Sequence, residues 1–349
     1  MSSFLKKVLY SFTMKKHDST YWTPRPGCPR LFMAPMEGLN DRPWRRAYSQ
    51  VIGGMDEMCT EFIRMPNTGH AKSLSKAYDD EGIHVPLAAQ IMGEHPEPCL
   101  EIALEIEKRG APRIDLNCGC PSSTVVGNGA GSSLLKTPDH IYRILSLLTA
   151  RCKTPISVKM RAGYTDISLF EDNLKAAEAA GVCMITLHPR TRVQGYSGQA
   201  DWSLIAKAKQ TVQTPIVGSG DVNSFQDALK LHQMSGCDGI MIGRGAFNNP
   251  WIFWQIRAGF ASQPHLQSPQ EEVRQLQDLG LLFLKEIEDL SPRGKAGRIK
   301  QWLRFLSQGN PLLGLPLKNL LVQNLPAELL VDQLCQFWSQ NEQQPLSSR

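Results

Sequence analysis

Eight short apolar runs, spread over the first 245 residues, constrain this chain more than any other feature. They are LFMA (31–34), EMCTEF (57–62), PLAAQI (86–91), RIDLN (113–117), PISVKM (155–160), CMITLH (183–188), PIVGS (215–219) and DGIMIG (238–243). Their starts lie 26, 29, 27, 42, 28, 32 and 23 residues apart. Each is short enough to be a strand buried on both faces. Helix-like stretches fill the gaps. Residues 98–110, for example, are apolar at Leu100, Ala103, Leu104 and Ile106 and close with Lys108, Arg109 and Gly110. Basic residues suit a helix C-terminus, and glycine permits the left-handed turn that ends it. Eight strand–helix units predict a (β/α)8 TIM barrel, with an open doubly wound sheet as the alternative. In a barrel, chemistry sits in the loops that follow the strands.

After Phe260 the pattern changes. ASQPHLQSPQEE (261–272) is polar with two prolines and reads as a linker. Residues 270–341 lack strand-like alternation and carry helical periodicity in EEVRQLQDLGLLFLKEIEDL, GRIKQWLRFLSQ and PAELLVDQLCQFWSQ. The expected organisation is a basic N-terminal extension (1–30), a barrel (31–262) and a small C-terminal helical domain of three or four helices (263–349).

Composition removes several classes. No stretch approaches the ~20 apolar residues of a membrane span, so no membrane partner is expected. Nine cysteines, an odd number with no C-x-x-C pair, suit neither a disulfide scaffold nor a zinc ribbon. Reduced thiols in the cytoplasm, a monomer and no metal are expected. Residues 1–30 hold six basic groups against one acid, which accounts for the whole net charge of +5. Interrupted by Lys6, Lys7, Lys15 and Lys16, this segment lacks the apolar run of a secretory signal. It reads as a basic extension. A polyanion site elsewhere must be a local patch. The C-terminal region offers one: Arg293, Lys295, Arg298, Lys300 and Arg304 fall within twelve positions without an acid, although residues 265–349 balance at nine basic and nine acidic. A charge run is often only a solvated face; this concentration favours RNA contact.

The chemistry-bearing residues cluster at the expected strand ends. Asp115-Leu116-Asn117-Cys118-Gly119-Cys120-Pro121 ends the fourth run and leads into the glycine-rich VVGNGAGSSLL. The two cysteines could be buried thiols or metal ligands, but no third and fourth ligand is evident nearby. Cys120, in the loop, is the candidate catalytic thiol, able to donate a proton near neutrality. Lys159 closes the fifth run and His188 the sixth, sharing a layer with Gln90 and Cys120. Such convergence says more than any single member. Gly218-Ser219-Gly220-Asp221 follows the seventh run and Gly243-Arg244-Gly245 the eighth. Barrels often bind phosphate there, with glycine N–H groups and a guanidinium facing the anion. Flavin mononucleotide fits such a site; spacing alone also admits a sugar phosphate.

At the level of whole motifs the chain resembles the tRNA-dihydrouridine synthases. The resemblance rests on APMEG (34–38), TEFIR (60–64), DLNCGCP (115–121), SVKMRAG (157–163), LHPRTRVQGYSG (187–198) and GCDGIMIGRGAFNNP (236–250), and runs from about Leu31 to Leu306. APMEG, TEF and GRIKQWL (297–303) look most like the bacterial subtype acting on uridine 16 of the tRNA D loop. The resemblance implies an FMN-bound barrel, a helical tRNA-binding domain and NADPH as reductant. It places Pro35, Met36, Glu37, Gln90, Lys159 and His188 on the flavin, with Ser219, Gly220, Asp221, Gly243 and Arg244 in the phosphate loops. The family often has Asn where this chain has Ser219. Cys120 falls on the general acid, and Asn117 beside it would help hold the uracil. Glu61, Arg190, Tyr196, Lys295, Arg298 and Lys300 resemble substrate- or tRNA-contacting positions. Two other readings remain open on the residues alone: an FMN barrel reducing a free pyrimidine or an enone, and a non-catalytic RNA-binding protein.

Overall fold

The computed structural model describes residues 27–66, 70–121, 129–263, 268–309 and 311–341. Each of the eight apolar runs forms a strand: β1 (Arg30–Met33), β2 (Glu57–Cys59), β3 (Leu87–Met92), β4 (Ile114–Cys118), β5 (Ile156–Gly163), β6 (Ile185–Thr191), β7 (Ile216–Ser219) and β8 (Gly239–Ile242). All pairings are parallel, and β8 returns to β1 while β2 pairs β3, so the sheet closes. A two-residue piece, Ile63–Arg64, adds a short pairing to the end of β3. Helices α1 (Arg42–Val51), α2 (Ala71–Leu74), α3 (Pro96–Glu107), α4 (Pro138–Arg151), α5 (Phe170–Ala179), α6 (Ser203–Thr211) and α7 (Phe225–Ser235) each follow one strand. Two more, α8 (Gly245–Asn248) and α9 (Ile252–Phe260), follow β8. The architecture is a TIM barrel. The basic extension lies outside the described residues up to position 26, and the glycine-rich loop after β4 is described from Gly129 onward.

Side chains alternate along each strand, because successive residues of a strand point to opposite faces. Ile114, Leu116 and Cys118 pack outward into the layer shared with the helices, as do Val158, Met160, Ile185 and Leu187. The opposite set points into the barrel. On one side it is apolar: Phe32, Ala34, Met184, Val217 and Met241 form a separate inner cluster. On the other it is polar: Glu57, Gln90, Arg113, Asp115, Asn117 and Ser157 are all buried. The barrel therefore has a two-sided interior, and burying that many polar groups requires that they bond one another.

Four helices follow: α10 (Pro269–Glu286), α11 (Pro292–Gly309), α12 (Pro311–Val322) and α13 (Ala327–Asn341). Their core is continuous with the outer layer of the barrel. Trp44 of α1 is the meeting point. Its ring stacks on Phe247 at 4.8 Å and meets Phe283 of α10 and Trp302 of α11 edge-on at 5.2 and 5.4 Å. Arg298 of α11 donates to Gly38 O at 2.9 Å and to Asp41 Oδ2 at 2.7 Å, and Gln301 donates to the same Gly38 carbonyl at 3.0 Å. Among the described residues, no helix is long and apolar enough to cross a membrane.

Candidate active site

The strand ends border an open, largely polar cleft at the mouth of the barrel. Its wall includes Pro35 and Met36 after β1, Lys159 of β5, His188 and Arg190 of β6, Ser219, Gly220 and Asp221 after β7, and Gly243 and Arg244 after β8. Lys159 and His188 were expected at strand ends, but β5 continues to Gly163 and β6 to Thr191. Both side chains rise from mid-strand and point inward, so backbone ladders fix them on either side. Lys159 pairs in register with Asn117 and with Thr186, and Arg161 with His188.

The electrostatics separate these two bases. Burial lowers the Lys159 ammonium to about 8, and Arg161 adds to the effect. Burial also holds the His188 imidazole down at about 2, helped by Lys159, Arg161, Arg190 and Arg244. His188 is therefore neutral at physiological pH. Its Nε2 lies 3.3 Å from Arg190 Nη1. A guanidinium only donates, so Nε2 accepts and the ring proton resides on Nδ1.

The loops after β7 and β8 form a cradle that side chains would fill. Gly220 has φ +108°, and a Cβ there would lie 3.0 Å from both Ala200 Cβ and His188 Cδ2. At Gly243 a Cβ would come 3.3 Å from Met36 Sδ, and at Gly245 only 2.2 Å from Val222 O. Arg190, 2 % exposed, forks onto Asp221, with Nη2 to Oδ2 at 2.6 Å and Nη1 to Oδ1 at 3.1 Å. Asp221 also accepts from Ala200 N at 2.7 Å. Its φ of +56° is a left-handed conformation that this pairing holds in place. Arg190 thus sits inside the wall, bracing the anion loop, while Arg244 remains half-exposed at 3.9 Å from the same carboxylate. Glycine backbone, a guanidinium and a lysine beneath them suit a phosphate joined to an electron-rich ring. The residues present fit flavin mononucleotide.

The two thiols of the β4 turn have opposite environments. Cys118 is fully buried on the outer face of the barrel, and its thiol is pushed well up by that burial. Cys120 is on the mouth side, packed, like Phe62, on the small cluster of Met92 and Ala130. Asn117 Oδ1 accepts from the N–H groups of Gly119 and Cys120, both at 2.9 Å. Asn117 Nδ2 donates to Gln90 Oε1 at 2.8 Å. Arg161 Nε closes the turn from the other side, donating to Gly119 O at 2.9 Å.

The remaining sequence candidates fall into three places. Glu61 accepts from Gly38 N, and burial raises its carboxyl above the usual range. Tyr196 stands 61 % exposed over the mouth, with Arg244 4.7 Å and Arg161 5.5 Å from its ring centre. Glu37 lies in the β1 loop between the cleft and Gly38. Lys295, Arg298 and Lys300 are on α11, away from the cleft. Arg298 is spent on Asp41 and Gly38, and Lys300 donates to Gln323 O at 2.6 Å. Sequence reasoning passed over Glu57 and Ser157 and gave Asp115, which it placed in the cluster ending the fourth run, no role. Their signal was charge or polarity at alternate positions within otherwise apolar runs.

A closed parallel barrel with such a mouth is a scaffold whose strand-end loops suit a phosphate-bearing ligand. The chain belongs to the dihydrouridine synthase family, whose family model matches residues 32–308. The tRNA-dihydrouridine(16) synthase of Neisseria meningitidis serogroup B is 34% identical to it over 290 residues, 80% of this chain and 86% of that protein. A probable tRNA-dihydrouridine synthase of Rickettsia conorii is 38% identical over 229 residues, 65% of this chain and 69% of that protein. Among solved structures, 6-hydroxypseudooxynicotine amine oxidase of Pseudomonas geniculata N1 superposes with a TM-score of 0.52 at 13% identity, covering 70% of this chain and 50% of that one. That last likeness is one of fold. The family read from the sequence motifs holds, and the chain is an oxidoreductase of dihydrouridine synthesis.

Proposed function

We propose that this protein reduces uridine 16 of the tRNA D loop to 5,6-dihydrouridine, with FMN in the cleft and NADPH as reductant. The observation that carries this reading is a half-buried thiol, Cys120, in the turn after β4 and within electrostatic reach of Lys159, which lines the anion cleft. The flavin these residues would hold would supply the hydride for C6 of the uracil. The chain's own residues do the rest. Pro35, Met36, Lys159 and His188 of the cleft wall, with Glu37 and Gln90 beyond it, would hold the ring, and Ser219, Gly220, Asp221, Gly243 and Arg244 would take the phosphate. Lys159 offers positive charge under an electron-rich ring, and neutral His188 adds none. Cys120 gives its proton to C5, the C5=C6 double bond is saturated, and the thiolate recovers a proton from solvent. The apolar cluster of Met92 and Ala130 against which it packs limits water around that thiol.

A D-loop uridine reaches this mouth only when flipped out, at a cost of a few kcal/mol. Contacts to the rest of the tRNA must offset it. Tyr196 is placed to pack on the flipped nucleotide and Glu61 lies beside the mouth, while α11 supplies the cationic surface of the helical domain. Position 16 is the site printed in the names of several similar proteins, among them those of Neisseria meningitidis and Haemophilus influenzae. In tRNA from a strain lacking its own enzyme, expression of this chain should restore dihydrouridine at position 16. Restoration at position 20 instead would reject the subtype and keep the chemistry.

The α11 cations should divide by how they are matched. Lys295 and Lys300 have no carboxylate partner among the described ion pairs, whereas Arg298 faces Asp41 at 2.7 Å. Lys295→Gln and Lys300→Gln should each weaken tRNA binding and flatten its logarithmic salt dependence by roughly 0.7–0.9. Arg298→Gln should weaken binding with little change in slope, because it loosens the junction rather than releasing counterions. Titrations across a salt series distinguish the two behaviours.

A further inference from the structure

A continuous line of polar side chains crosses the barrel interior and ends on the turn that carries Cys120. Glu57 accepts from Arg113 Nε at 3.0 Å, and Arg113 Nη1 donates to Asp115 Oδ1 at 3.0 Å. Ser157 Oγ donates to the same Asp115 oxygen at 2.5 Å. Asp115 Oδ2 accepts from Gln90 Nε2 at 2.8 Å, Gln90 Oε1 accepts from Asn117 Nδ2 at 2.8 Å, and Asn117 Oδ1 accepts from Gly119 N and Cys120 N. None of these six side chains is more than 8 % exposed.

The polarity of every link is forced by the one before it. A carboxylate flanked by a guanidinium only accepts, so Gln90 must turn its NH2 toward Asp115. Its oxygen then faces Asn117, which must answer with its own NH2. The Asn117 oxygen is thereby aimed at two backbone N–H groups, which can only donate. An isolated buried ion pair would explain Arg113, Glu57 and Asp115 as core packing. It would not explain two amides oriented in series, ending on the backbone of the mouth-facing thiol.

We infer that Asp115, fixed by Arg113, is a positioning residue for Cys120: it sets the amide polarity that holds the thiol turn in place for proton delivery. This rests on the reading of Cys120 as proton donor. It predicts that reversing the polarity at one end disturbs the turn, and that reversing it at both ends repairs it. In Asp115→Asn, the asparagine oxygen stays with Arg113 and its NH2 faces Gln90. Gln90 flips, Asn117 flips in response, and its NH2 confronts the two backbone N–H groups. Asn117→Asp keeps the acceptor at the turn but sets two oxygens against each other at Gln90. The double variant makes every link complementary again, and the number of negative charges in the line is that of the wild type.

The experiment uses the flavin-loaded enzyme and whole tRNA. The readout is the rate at which saturating tRNA reoxidises the NADPH-reduced enzyme, divided by the rate at which NADPH reduces it in the same preparation. A misplacement of about 1 Å costs on the order of a hundredfold in rate, so each single variant should lower this ratio by about ten- to a hundredfold. The double variant should recover at least tenfold over the worse single. Either single variant within twofold of wild type, or a double no better than the worse single, overturns the inference. If Asp115→Asn does not fold, the double variant measured against Asn117→Asp decides: recovery of at least tenfold upholds the relay, and none overturns it. Cys120→Ala, measured alongside, separates the two layers. Wild-type reoxidation in that variant overturns the thiol as donor and this inference with it. A slow Cys120→Ala beside an unaffected Asp115→Asn overturns only the relay.

Discussion

Cys120→Ala should slow dihydrouridine formation by about 10²–10⁴-fold, the range over which a positioned general acid contributes. The same variant should still bind flavin and still oxidise NADPH, because the cleft wall does not include this residue. Cys118→Ala should stay within a few-fold of wild type. Its thiol faces the helix layer and is kept protonated by burial, with the barrel wall between it and the mouth. Single-turnover measurement of modified tRNA from pre-reduced enzyme separates proton delivery from flavin reduction. Swapped behaviour of the two variants would assign the donor to the wrong cysteine.

Lys159→Met should lower FMN affinity by at least tenfold, and much of the protein should purify colourless. The ammonium is charged below about pH 8, where its lowered value lies. In the wild-type apoprotein, FMN affinity should therefore decline as pH rises through about 8. Lys159→Met should lack that step. A second consequence follows with the opposite sign. The unfolded chain titrates this lysine near its ordinary value of 10.5, so between about pH 8 and 10.5 the unfolded state binds more protons. Stability of the apoprotein should rise with pH across that window for this group, and the variant should lose the contribution. Isothermal titration and denaturation at matched pH values check both.

The barrel was legible because its strands are short, predominantly apolar runs, buried on both faces and regularly separated, a pattern that few other folds require. The mouth residues were legible through their positions just after those runs. Two kinds of information were not. Helix α12 escaped because Gly314 and Pro316 lie inside it, and both are breakers by local rules; its packing on α11 overrides them. The relay behind Cys120 escaped for a different reason. The alternation of Arg113 and Asp115 is visible in RIDLN, and places both on one face of a strand. That Asp115 meets Gln90, and Arg113 meets Glu57, depends on the stagger of neighbouring strands, which no local spacing encodes. Arg190 shows the same limit. Its motif suggested a substrate contact, and the carboxylate that fixes its guanidinium, 31 residues away, lay outside that motif.

The indole of Trp44 bears on how this molecule comes apart. A proline-containing polar linker suggests two bodies that could melt at separate temperatures. Yet that ring is shared by a barrel helix, the segment after β8 and two helices of the C-terminal bundle. Neither body owns a complete hydrophobic interior. Severed from the barrel, the bundle would present Phe283 and Trp302 to water, and the barrel would lose the cover over Trp44. Heat should therefore find one cooperative transition where the linker promises two.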